Sequence, residues 1–74
     1  MRARRRMAIL RLLAERGQMT DRELSEALDL SRATIRPLRR ELVAEGRVVS
    51  VPATPGSHYP LAGWRLAEGT DAAL

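Results

Sequence analysis

Apolar residues recur at helical spacing through the first forty-odd residues, and the spacing changes after Gly46. Met7, Leu10, Leu13 and Ala14 share one face of a helix expected over residues 3–16, with Ile9 at its border. Leu12, with Ala8 one turn before it, projects from the other side, as a scattered surface leucine or as part of a dimer contact. Gly17 stands where a left-handed C-terminal cap belongs. Thr20-Asp21-Arg22-Glu23 has the form of a capping box, in which each terminal side chain accepts the free N–H of the other residue. Met19 and Leu24 occupy the staple positions around it, and the short helix over 21–28 is expected to turn Leu24, Ala27 and Leu28 inward.

A third helix follows after a three-residue turn. Ser31 is a good N-cap, Leu30 and Ile35 are again at staple positions, and Ile35, Leu38 and Leu42 form an i, i+3, i+7 stripe for the core. The opposite side of this helix, over residues 32–45, carries Ala33, Arg36, Pro37, Arg40 and Ala44, with Arg32 and Arg39 on the flank. Gly46 closes it. Pro37 removes the bond to the Ala33 carbonyl, so the helix either kinks there or begins late, leaving residues 31–36 irregular. Because Ser31 is a far better cap than Arg36, the kinked helix is the expectation.

Beyond Gly46 the run Arg47-Val48-Val49-Ser50-Val51 is rich in β-branched residues and reads as a strand. Pro52 to His58 is dense in turn formers and reads as a loop. Trp64 to Ala67 is the expected return strand, with Tyr59-Pro60-Leu61 as the alternative. The order is helix, helix, helix, strand, loop, strand: an α+β fold, mostly α, occupying residues 1–67, with 68–74 a frayed tail.

Composition narrows the chemistry. A 74-residue chain is one small domain, with little room for a deep substrate pocket. Without cysteine there is no disulfide, thiolate metal site or cysteine nucleophile, and one histidine cannot build an imidazole metal cluster. The carboxylates Asp21, Glu23 and Glu26 belong to a helix start and its exposed face. The expectation is a binding module and not an enzyme, without cofactor, metal or small-molecule ligand. Arg11 interrupts the apolar stretch after Met7–Leu10, which excludes a signal-peptide core, and nothing approaches the length of a membrane span. A cytoplasmic protein at the nucleoid is expected.

All thirteen cations are arginine, and the net charge of +4 is unevenly spread. Residues 1–17 balance to +5 (Arg2, Arg4, Arg5, Arg6, Arg11 and Arg16 against Glu15). Residues 18–30 balance to −3 (Arg22 against Asp21, Glu23, Glu26 and Asp29), and 31–47 return to +3 (Arg32, Arg36, Arg39, Arg40 and Arg47 against Glu41 and Glu45). Two basic blocks flanking an acidic one point to a polyanion that meets residues 1–6 and 31–47.

Two helices joined by a three-residue turn, the second bearing arginines on its solvent side, is the helix-turn-helix arrangement. The run Ile9-Leu10-x-Leu12-Leu13, Met19-Thr20-x-x-Glu23-Leu24, Leu30-Ser31-x-Ala33-Thr34-Ile35-x-x-Leu38-x-x-Glu41-Leu42 and Gly46-x-Val48 resembles bacterial winged helix-turn-helix transcription regulators over about residues 7–66. The resemblance implies three helices followed by a two-stranded hairpin wing, with residues 31–45 in the major groove and 48–66 touching backbone or minor groove. Asp29 stands where these families usually have a turn glycine; aspartate tolerates positive φ better than most residues.

The candidate DNA contacts follow. Arg36 and Arg40 lie on the outer face, and Arg32, Ala33 and Thr34 occupy the first turn, where small side chains allow close approach to bases. Thr20, Arg22 and Ser31 stand at helix N-termini that offer free N–H groups to phosphate. Arg39 is nearer the core and pairs either with DNA or with acids of the second helix. Arg4 and Arg5 belong to an exposed helix start or to an arm on the DNA. Thr54, Ser57 and His58 are the wing-tip candidates, and Trp64 is expected to pack beneath the sheet. The expected activity is sequence-specific binding of double-stranded DNA as a small transcription regulator, a repressor, working as a homodimer. The alternatives are a protein-interaction module or inhibitor on the same scaffold, and an excisionase-like architectural protein.

Overall fold

The computed structural model describes residues 2–56, 58 and 61–69. The wing-tip candidate Ser57, Tyr59 and Pro60 of the alternative return strand, and residues 70–74 of the tail lie outside the described residues. Three helices, α1 (Arg2–Arg16), α2 (Asp21–Leu28) and α3 (Arg32–Ala44), precede a hairpin of β1 (Val48–Pro52) and β2 (Leu61–Leu66). This is the three-helix-plus-wing order expected from the sequence.

One apolar cluster holds all five elements together: Ile9, Leu10 and Leu13 from α1, Met19 ahead of α2, Leu24 from α2, Ile35, Leu38 and Leu42 from α3, and Val48 from β1, with Trp64 and Leu66 of β2 packed against it. The buried stripe of α1 is centred on Ile9, Leu10 and Leu13, so Ile9 is a full core residue, not a border one. Ala14, expected inside, is exposed, because the stripe turns toward the larger Ile9 and Leu13 side chains, whose burial gains more. Ala27 is exposed as well, since α2 touches the core through Leu24 and Leu28 one turn apart. Leu12 is half-buried and packs against the core, not scattered on the surface.

The helix ends are built as their sequences require. The Glu23 N–H donates to Thr20 Oγ1 (3.1 Å) and the Thr20 N–H donates to Glu23 Oε1 (3.0 Å), completing the capping box. Asp29 caps α2 in the left-handed region at φ 54°, the conformation that the turn glycine supplies elsewhere. Ser31 Oγ accepts from the Thr34 N–H (3.2 Å), and α3 spans Arg32–Ala44 with Pro37 inside it. The late start is thereby overturned. Ala33 and Pro37 are both exposed, so water can reach the carbonyl that proline leaves without its helical partner.

In the hairpin Val48 faces Leu66, Ser50 faces Trp64 and Val51 faces Gly63, with a bulge at Ala62 before Pro52 meets Leu61. β2 therefore begins at Leu61, earlier than Trp64, the expected start of the return strand. Its outer edge is not free. Met19 pairs with Trp64 as an isolated bridge, the Met19 N–H donating to the Trp64 carbonyl (3.0 Å) and the Trp64 N–H to the Met19 carbonyl (2.7 Å). The bridge fixes the wing to the segment just ahead of α2. It also demands glycine at position 63, where an added Cβ would lie 2.9 Å from the Met19 carbonyl oxygen.

Candidate nucleic-acid interface

The wing stands beside α3 and leaves an open groove of about 750 Å³ between them. Its walls carry Arg32 and Arg36 from α3, Thr20 and Arg22 from the start of α2, and Thr54 from the wing. The core stripe explains the placement. Ile35, Leu38 and Leu42 face inward, so Arg32 and Arg36, one turn apart, must face outward. Arg32, Arg36 and Arg40 are exposed and make no ion pair with any described residue. Arg40 continues the row one turn beyond Arg36, outside the groove.

At the floor lies a feature that only folding assembles. Arg39 Nε donates to Asp21 Oδ1 (3.1 Å) and Nη2 donates to Oδ2 (2.9 Å), a two-pronged pair between α3 and the first residue of α2. The guanidinium carbon sits 3.9 Å from the centroid of the Trp64 ring. The Arg39 side chain is 12% exposed and that of Asp21 18%. Of the two roles open to Arg39 in the sequence, the structure shows the pairing with an acid of the second helix. Two parallel charge-assisted bonds on a partly dry site, with a cation over an aromatic face, are among the stronger polar contacts a surface can offer.

The other sequence candidates are placed less favourably. Ser31 and Thr34 hydroxyls are 3.0 Å apart and bonded to each other, and Ser31 is further occupied as the cap. Ala33 is exposed at the first turn. Arg22, at the groove mouth, pairs with Glu26 one turn on (3.1 Å) while remaining largely exposed. Arg4 and Arg5 belong to the regular start of α1, not to a separate arm, and line a small depression with Ala8, Leu28 and Leu30 away from the groove. His58 is exposed beyond the groove wall.

Sequence reasoning missed a second ion cluster altogether. Arg2 pairs with Glu41, and Arg6 with both Glu41 (Nη1 to Oε1, 3.2 Å) and Glu45, clamping the start of α1 to the end of α3. Part of the basic block at residues 1–17 is thus spent inside the molecule. The signal for it was weak: Glu41 and Glu45 share a face at i, i+4, as do Arg2 and Arg6, but only the packing of α1 on α3 brings the two pairs together.

Among the described residues no helix is long and apolar enough to cross a membrane. Comparison with curated proteins and with solved structures gave no match. A family model described as winged helix-turn-helix DNA-binding does match, over residues 2–49, from the first turn of α1 into β1. That span is more than half of the 74-residue chain and includes both helices of the motif and the arginine row on α3, and the chain belongs to the winged helix-turn-helix DNA-binding family.

Proposed function

We propose that this protein is a sequence-specific binder of double-stranded DNA that regulates transcription as a repressor. The observation that carries the reading is the groove between α3 and the wing, where Arg32 and Arg36 stand beside the Thr20 and Thr54 hydroxyls without a carboxylate partner among the described residues. Arg32 and Arg36 reach base edges in the major groove, where a guanidinium pairs in two-pronged fashion with guanine. Arg22, Arg40 and the free N–H groups at the start of α2 hold phosphates, and Thr54 anchors the wing on the backbone. Ala33 keeps the first turn low enough for close approach, while Ser31 and Thr34 chiefly maintain that turn. Arg4, Arg5 and His58, lying off the groove, add only long-range attraction.

Repression is steric in this reading: the bound protein occupies a promoter and excludes polymerase. It acts in the cytoplasm at the nucleoid, as a homodimer on a two-fold site, because one module covers little DNA and two cover twice as much. Selection of bound duplexes from a random library, with light scattering on the complex, tests the whole proposal. A recurring two-fold motif bound by two chains is expected. With about five phosphate contacts, log K against log salt should fall with a slope near −4 to −5. A slope near zero with no enriched sequence would sink it and favour a protein partner.

A further inference from the structure

A carboxylate in a groove meant for DNA is an anomaly, because it repels the phosphates that the neighbouring arginines attract. Asp21 is such a carboxylate, and the cation beside it, Arg39, is the one arginine of the groove turned away from solvent. We propose that Asp21 is a positioning residue for DNA recognition, masking Arg39 so that its charge fixes the wing and is withheld from phosphate. This rests on the reading of the groove as the DNA interface.

The geometry supports both halves of the role. Asp21 takes one edge of the guanidinium, Nε and Nη2, so the orientation of the group is set by α2. Its central carbon sits over the ring of Trp64, the residue whose backbone bridges Met19 at the root of the wing. One carboxylate therefore connects the start of α2, the middle of α3 and β2, and so sets the spacing across which α3 and the wing meet the duplex. The charge consequence is separate. A phosphate contact is equally available on every sequence, so an added cation strengthens binding to every duplex without adding discrimination. Holding Arg39 against Asp21 leaves Arg32 and Arg36 as the groove's unpaired cations among the described residues, and these are the two placed to read bases.

The test compares four proteins on the selected duplex and on one of arbitrary sequence, by fluorescence anisotropy across a salt series, with thermal unfolding to verify that each is folded. Asp21→Asn keeps the size of the side chain and the Thr20–Glu23 cap but loosens the fork. It is expected to bind the arbitrary duplex roughly ten-fold more tightly at 0.1 M salt, with a slope steeper by about 0.9, the signature of one more phosphate contact. Its preference for the selected site over the arbitrary one shrinks, because the spacing of α3 and the wing is no longer fixed, while the added phosphate contact serves both duplexes alike. The charge-neutral pair Asp21→Asn/Arg39→Gln is expected to keep the wild-type slope, because Arg39 contributes no phosphate contact. Arg36→Gln, at a base-reading position, is expected to weaken binding to the selected duplex and reduce its preference over the arbitrary one. A merely structural role for Asp21 would weaken binding to both duplexes without steepening the slope. An unchanged slope in Asp21→Asn, or a lost unit of slope in the double variant, overturns the proposal while leaving the groove reading intact. Wild-type binding that ignores salt and is indifferent to Arg36→Gln removes the groove reading itself.

Discussion

The two ends of α3 carry the same residue types in opposite circumstances. Its first half presents Arg32 and Arg36 to solvent with no ion pair to any described residue. Its last turns present Glu41 and Glu45, which Arg2 and Arg6 of α1 bind in the clamp between the helices. Both ends are held by one stripe of Ile35, Leu38 and Leu42 on the core. The lesson concerns charge. A basic segment says how much charge the chain has, and only the carboxylates that folding brings near decide which arginines remain for a polyanion. In this molecule they remain at the groove end of α3, which is where a recognition helix meets DNA.

The comparison fails completely if the shared stripe is cut. Leu42→Ala, at a fully buried position, is expected to cost about 2–5 kcal/mol. That is a large part of the stability of a domain this size, and a urea titration should show most of it lost. The two halves separate in the next pair of variants. Arg36→Ala should weaken binding to the selected duplex by about 1–3 kcal/mol, yet move the unfolding free energy by no more than about 0.5 kcal/mol. Arg6→Ala should do the reverse. Its half-buried side chain serves two carboxylates, so a stability loss of about 1 kcal/mol is expected in urea at low salt, shrinking at high salt, with DNA affinity nearly unchanged. Equal effects of the two variants on binding would mean that the halves are not distinct.

The smallest effect serves as the control for both. Asp29→Gly relieves a left-handed conformation at the turn ahead of α3, and should raise stability by up to about 1 kcal/mol. Thermal unfolding should shift upward by a few degrees, about 4–8 °C per kcal/mol in a domain of this size. Binding should stay unchanged, since Asp29 touches neither the groove nor the clamp.

The helices, their caps and the order of elements could be read in the sequence because those signals are local. Thr20 with Glu23, Ser31 with Thr34, and the i, i+3, i+7 stripe of α3 each act within one or two turns of chain. The outward position of Arg32 and Arg36 was readable for the same reason, as the complement of that stripe. Asp29 could be assigned to a left-handed turn because it stands where the families that the chain resembles usually carry a turn glycine. The composition likewise made a polyanion the natural partner, since charge needs no geometry to be counted.

Tertiary structure decided what depends on residues far apart in the chain. It gave Arg39 an acid partner, because α2 delivers Asp21 and β2 delivers Trp64 to the same side of α3. It spent Arg2 and Arg6 on Glu41 and Glu45, and moved the α1 stripe toward Ile9 and away from Ala14. It also added the bridge between Met19 and Trp64, which gives Gly63 its necessity. Each of these turns on the relative placement of two elements. Periodicity along one helix fixes which face is buried, but not which partner waits on the other side.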